Sequence, residues 1–279
     1  MKLVCHTPRP PLSQWVDLIW HHECAPLPFS LEKLMPTGRV DLIINLNDEA
    51  LRIHDPKNVH QIEHYRGPLL SGVQGSFSVI DASQQTQIMG VAFKPGGAYV
   101  LPGLAVAELS DTHLSAGDVW GHQAQLWGGQ LAGLPDAWSR VNALERALIK
   151  VIARGRLREM HASVQMALQE IQHRPATASV RQLAEQVRLS QRRFIELFTR
   201  QVGITPKLYS RIQRFQRTLQ QVHARSQVDW CELAFDEGYS DQSHLIRDFQ
   251  KFSGLSPTQY RALRTEHPNH VVLTDSAQG

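Results

Sequence analysis

The sequence predicts an α+β chain. A mainly β first half carries trailing helices, and an all-α second half consists of two helix-turn-helix subdomains joined by a long helix. Three observations predict it. One helix-turn-helix pattern occurs twice, with an offset of 50 residues before the turn and 51 after it. Short alternating apolar runs broken by Gly and Pro turns fill residues 1–120. The basic charge gathers on the duplicated part.

The β half begins ambiguously, since residues 15–20 fit a short strand or a helix turn. Val40, Leu42, Ile44 and Leu46 then alternate, which puts them on one side of a strand. Further strands are expected at 50–54, 75–81 and 87–93, with turns at Pro36-Thr-Gly38, Arg66-Gly-Pro68 and Pro95-Gly-Gly97. Many short strands at this spacing suit a sandwich or open barrel. Residues 122–153 become helical, with Trp138, Val141, Leu144, Leu148 and Val151 as one buried stripe. The basic stretch 153–160 is read as the junction. The expected division is therefore 1–155, 160–264 and an aperiodic, mobile tail at 265–279.

The duplicated half is read from local signals. In the second copy Asp241 stands at a helix N-cap, where its carboxylate can accept from an orphan N–H. Leu245, Phe249 and Phe252 follow at i, i+4 and i+7, while Ser243, His244, Arg247 and Lys251 lie opposite. Gly254 stops the helix and Pro257 opens the next. In the first copy the matching residues are Ser190, Phe194, Phe198, Gly203 and Pro206. Between the copies Ile212, Phe215, Leu219 and Val222 share one helical face. Arg211, Arg214 and Arg217 lie off it, as phosphate contacts or as a solvated basic face.

Charge and composition exclude several classes. Residues 1–155 hold 12 Lys and Arg against 14 Asp and Glu, while residues 179–264 hold 14 against 8. A polyanion would thus bind the second half. Apolar runs are too short for a membrane span, and the N-terminus lacks the apolar core of a signal peptide. Three cysteines fit a reducing cytoplasm. There is no GxxxxGK[ST] phosphate loop and no G-x-S-x-G elbow, so neither an enzyme nor a cofactor is expected. The rival chemistry is a metal site at His21-His22-Glu23-Cys24 with His54, His60 and His64. Neighbouring histidines on a strand point oppositely, so no metal is expected there. It remains the alternative: a metal-binding sensor or enzyme fused to a DNA-binding domain.

Gly-Tyr-x-Asp-x-Ser-His-Leu-x-Arg-x-Phe at 238–249, Gly254-x-Ser-Pro257 and Tyr260-Arg261 resemble the AraC/XylS family of bacterial transcription regulators. Pro36-x-Gly38, residues 42–46 and Phe93-x-Pro-Gly-Gly97 resemble the cupin-like sensor module of one branch. The resemblance implies recognition helices at 191–202 and 241–253 that enter successive major grooves. It implies base-facing Arg192, Ile195 and Glu196 in the first, with Arg193 and Arg200 towards the rims and Gln191 as a further DNA contact. Many relatives are basic where Glu196 stands, so Glu196 can instead pair with an arginine of its own helix. In the second reader Ser243, His244 and Arg247 face bases, and Gln242 and Lys251 serve the backbone. Arg214 is a further phosphate candidate. The expected function is a sequence-specific transcription activator on double-stranded DNA, with RNA polymerase as a possible partner and a homodimer through helices 122–153. The N-terminal module would bind a small molecule or a partner subunit, with Trp20, His22, Arg39, Phe93 and Trp120 as pocket candidates.

Overall fold

The computed structural model describes residues 2–26, 31–47, 49–83, 85–175 and 179–273. Its strands are β1 (Lys2–His6), β2 (Val16–Glu23), β3 (Leu31–Leu34), β4 (Asp41–Asn45), β5 (Leu51–Asp55), β6 (Asn58–Tyr65), β7 (Leu69–Ser71), β8 (Ser78–Asp81), β9 (Gln87–Phe93), β10 (His113–Ser115) and β11 (His270–Val272). Its helices are α1 (Gly97–Val100), α2 (Ala116–Trp120), α3 (His122–Gln125), α4 (Trp127–Ala132), α5 (Ala137–Arg154), α6 (Ala162–His173), α7 (Val180–Gln186), α8 (Gln191–Val202), α9 (Pro206–Ala224), α10 (Trp230–Asp236), α11 (Gln242–Ser253) and α12 (Pro257–Leu263).

The strands form two antiparallel sheets. One runs β1-β2-β9-β4-β7-β10 and the other β11-β3-β8-β5-β6. Alternation along β2 assigns its two faces. Ile19 and His21 point to the side covered by α5, and Trp20 points between the sheets. There Trp20, Ile43, Leu69 and Ile88 of the first sheet meet Leu51, Ile53 and Tyr65 of the second. The ambiguous stretch 15–20 is therefore mostly strand, fixed by pairing of Leu18 with Ala92 and of Trp20 with Gly90.

On the outer face α5 closes the first sheet. Asp136 caps it by accepting from the Ser139 N–H at 2.9 Å, and Val141, Leu144, Leu148 and Val151 are buried as expected. Trp138 departs from the expected stripe, being 53% exposed. It is the second residue of the helix and packs edge-on to His6 at 6.0 Å between ring centroids. Inside the face, Arg140 donates to His21 Nε2 at 3.0 Å and to the Leu134 carbonyl at 3.1 Å.

The tail corrects a second expectation. Residues 270–272 are not loose but form β11, paired with β3, with Val271 fully buried. A strand of three residues offers too little alternation to be seen in a sequence. The last part of the expected tail, 274–279, lies outside the described residues. The junction is packed as well: Arg158 donates to the Leu101 carbonyl at 2.9 Å and stands 4.4 Å from the Tyr99 ring centroid.

Truncating Leu148 to alanine is expected to cost about 2–5 kcal/mol, the usual range for a buried leucine. Trp138→Ala should cost less than about 1 kcal/mol. Urea unfolding of the two variants checks the order; equal losses would contradict the placement of Trp138.

Candidate nucleic-acid interface

The two units α7–α8 and α10–α11 are built alike. Ser190 caps α8 by accepting from the Arg193 N–H at 3.2 Å. Asp241 caps α11 by accepting from the His244 N–H at 2.7 Å, and that bond holds its carboxyl below the usual carboxylate range. Each helix ends at a left-handed glycine, Gly203 at φ +100° and Gly254 at φ +65°. The turn residues occupy 187–190 in the first copy and 237–241 in the second, so the extra residue read from the sequence lies in the second turn. Both turns need one left-handed residue: Gly238 at φ +71° takes it in the second copy, and Arg188 at φ +55° in the first.

Phe194, Phe198, Phe249 and Phe252 are fully buried, so the opposite faces of α8 and α11 look outwards. On α8, Gln191, Arg192, Arg193, Glu196 and Arg200 are exposed and Ile195 is half-buried. Glu196 is held by its own helix, 3.0 Å from Nε of Arg192 and 3.8 Å from Nη1 of Arg193. On α11, Gln242, Ser243, Arg247 and Lys251 are exposed. Lys251 Nζ lies 5.5 Å from the Phe252 ring centroid.

Arg214 is a correction. It is 8% exposed, and its guanidinium is used inside the protein. It bonds Asp248 Oδ2 at 3.0 Å, donates to the Gly238 carbonyl at 3.1 Å and covers the Tyr239 ring at 4.1 Å. Arg211 holds the other carboxylate oxygen, Oδ1, at 2.5 Å. Arg217 caps α6 through the Gln172 and His173 carbonyls. Of these arginines, Arg211 is the more exposed of the two that line the groove described below.

Asp248 was not picked out by the sequence reading. Its signal is its place on the apolar stripe: Leu245, Asp248, Phe249 and Phe252 run i, i+3, i+4, i+7 on α11. A carboxylate at 1% exposure there demands a cation from the facing helix.

His244 is also reassigned. Arginine has no acceptor, so the contact from Arg214 Nη2 at 3.2 Å makes His244 Nε2 the acceptor. Nδ1 then carries the proton and donates to Ser240 Oγ at 3.2 Å. Both ring nitrogens are engaged, and burial, with Arg214 beside it, holds the imidazole below its usual pKa. His244 thus braces the turn and the start of α11.

Between the two units lies a groove of about 500 Å³. Ser179 and Val180 at the start of α7 form one wall, His244 the other, and Lys207, Ser210, Arg211 and Arg214 of α9 the floor. Its lining carries the cationic side chains of Lys207, Arg211 and Arg214.

The five pocket candidates do not converge. Trp20 faces the inter-sheet cluster, and β2 alternation puts His22 on that same side. Phe93 is fully buried in the large core on the opposite face. Arg39 pairs with Asp41 at 3.2 Å, and Trp120 donates to the Pro102 carbonyl at 3.1 Å. Among the described residues no group of three His, Cys, Asp or Glu side chains is arranged to hold a metal ion. No helix among them is long and apolar enough to cross a membrane.

Residues 183–263 match a family model described as a helix-turn-helix domain, and residues 5–115 match one described as a domain of unknown function. A probable transcriptional regulator, LumQ of Photobacterium leiognathi, is 34% identical over 90 residues, 32% of this chain and 36% of that protein. An HTH-type transcriptional regulator of Haemophilus influenzae is 30% identical over 82 residues, 29% of this chain and 27% of that protein. The matched stretch thus spans about a third of the length of these relatives or less. ToxT of Vibrio cholerae is similar in structure over 94% of this chain and 98% of its own, at 8% identity and a TM-score of 0.48.

Removing Asp248 as Asp248→Ala leaves two guanidiniums facing each other and is expected to cost about 3–5 kcal/mol in denaturant unfolding. A loss under about 1 kcal/mol would show that the network carries no stability. His244 gives a pH test. Because its folded pKa is lowered, its contribution is present above about pH 6.5 and declines as pH falls below that value. His244→Gln should therefore reduce the loss of stability between about pH 7.5 and about pH 5.5. Equal losses in both proteins would contradict the assignment.

Proposed function

We propose that this chain, a transcription regulator whose second half is a DNA-binding domain of the AraC helix-turn-helix type, reads two successive major grooves on one face of the duplex. One observation carries the reading. Two equivalently capped helices present outward polar faces, and a basic groove lies between them. Neighbouring major grooves on one side of B-DNA are about 34 Å apart, and a rigid helix such as α9 can hold two readers at a fixed separation.

In this reading Arg192, Ile195, Ser243 and Arg247 face base edges. Arginine reads guanine through a bidentate contact, and serine accepts either partner. Glu196, held by Arg192 and Arg193, chiefly orients those guanidiniums. Gln191, Arg193, Arg200, Gln242 and Lys251 flank the two faces and meet phosphates, and Lys207 and Arg211 seat the strand crossing the groove. Arg214 and His244 position α11 and touch no DNA. Residues 160–264 act as the DNA-binding unit and residues 1–155 as its regulator. The regulator takes a small molecule at the inter-sheet cluster beside Trp20 and His22. It also dimerises through the face of α5 that exposes Trp138 and Ile149. The protein works in the cytoplasm and activates transcription with RNA polymerase.

The test is selection of genomic fragments by the purified protein, sequenced at two salt concentrations. The expected result is a bipartite motif with elements about one helical turn apart. A doubled motif reports two copies, and transcription from the selected site with purified RNA polymerase reports the sign of regulation. Binding without a motif, lost at the higher salt, would overturn the sequence-specific reading.

On the selected site, Arg247→Ala should weaken binding by about 1–3 kcal/mol and relax preference at one base pair. Lys207→Ala should weaken all sequences alike and lower the salt slope by about 1. Unchanged base preference in the first variant, or an unchanged slope in the second, would remove that residue from the interface.

A further inference from the structure

The chain does not end its packing at α12. It turns back to the N-terminal half, where β11 adds an antiparallel strand to the edge of the five-stranded sheet. His270, Val271 and Val272 pair with Leu34, Lys33 and Glu32 of β3. The Met35 N–H donates to the Asn269 carbonyl at 3.0 Å and the Leu273 N–H to the Leu31 carbonyl at 2.9 Å, which extends the ladder at both ends. The same segment is held from the DNA-binding side. The Tyr260 hydroxyl donates to the Pro268 carbonyl at 2.9 Å, and Gln216 Nε2 donates to Asn269 Oδ1 and the Pro36 carbonyl, each at 2.8 Å. These residues form a strap stitched to both halves.

The partner strand has a second contact. Lys33, paired with Val271, extends its ammonium to the Gly254 carbonyl at 3.4 Å. Gly254 ends α11, so a cation there sits at the negative end of the helix. The approach is close: a Cβ on Gly254 would stand 2.7 Å from the Phe77 ring. The first reader is held similarly, since a Cβ on Gly203 would stand 3.2 Å from Val106. The N-terminal half thus abuts both readers at their stop glycines, and the strap is tied to α9 and α12, which both pack against α11 of the second.

We propose that residues 265–273 are an interdomain latch coupling the N-terminal half to the second reader. Pairing of β11 with β3 fixes where Lys33 and Phe77 meet the end of α11, so a change in β3 reaches the reading helix through the strap. Such coupling is reciprocal: what the reader binds must alter the strap. This last consequence rests on the proposed DNA-binding role; the latch itself does not.

The first arm uses the full-length protein without DNA. Val271→Asp places a carboxylate in the fully buried position, and hydrogen exchange is followed by fragment. Exchange is expected to rise about tenfold or more at residues 31–35 and also at 250–255, with α8 unchanged. A rise at 31–35 alone would overturn the latch, since β11 would then be an ordinary edge strand. Should Val271→Asp exchange everywhere, Gln216→Ala decides by the same two fragments, with a smaller rise expected at both. The second arm adds the selected operator to the wild-type protein. Slower exchange at 269–273, with operator affinity moved by about threefold or more in the variant, supports coupling. Operator binding that leaves the strap unchanged overturns it. If no operator binds, the DNA reading fails while the first arm still decides the latch.

Discussion

The carboxylate of Asp248 governs the geometry of the second reader. It is buried between α11 and α9, with one oxygen on Arg211 and the other on Arg214. Removing the carboxylate and the Arg214 guanidinium from water is costly, and only near-ideal pairing offsets it. An apolar stripe tolerates small slides along a neighbouring helix; a carboxylate bonded through both oxygens does not. The same Arg214 holds the Gly238 carbonyl and His244. One guanidinium therefore fixes the turn, the first turn of the reading helix and its middle.

The duplication makes this choice legible by contrast. At the offset of 51 residues, Asp248 corresponds to Leu197, which is 4% exposed and packs as an ordinary apolar residue. His244 corresponds to the exposed Arg193, and Arg247 to Glu196. The frame is repeated while both the lock beneath it and the chemistry above it are changed. The first reader shows two arginines bridged by a glutamate. The second shows Ser243 and an unbridged pattern around Arg247. The two outward surfaces therefore offer different hydrogen-bonding chemistry on the same frame.

What the sequence discloses follows from the range of each signal. Caps, stop glycines and restart prolines act within four residues, so Ser190, Asp241, Gly203, Gly254, Pro206 and Pro257 could be placed from sequence. The buried phenylalanines followed from helical period. Arg214 could not, because its burial depends on a carboxylate 34 residues away. The contact of His244 with Arg214 is equally hidden, since it joins residues 30 positions apart. Strands β7, β10 and β11 have three residues each, too few for alternation to stand out. The pocket candidates scattered because β9 carries Phe93 on one face and Ile88 on the other, a distinction set by register.

The halves separated by sequence are not separated by packing. Buried residues of the N-terminal strands, α5, and the helices of both reading units form one continuous cluster. The junction is itself bound, with Arg158 on the Leu101 carbonyl and the Met160 side chain against Gly96. A flexible tether would let an N-terminal event act on DNA binding only by proximity or dimerisation. Here α9 donates through Gln213 to the Thr37 carbonyl at 3.1 Å, and Gly38 lies against Tyr209. Close-packed contacts of this kind do not yield gradually; they hold or they exchange for another arrangement. A change of packing in the β half therefore has more than one route to the helix-turn-helix units: α9, which touches both halves and carries the arginines that lock α11, and the direct contacts at Gly203 and Gly254.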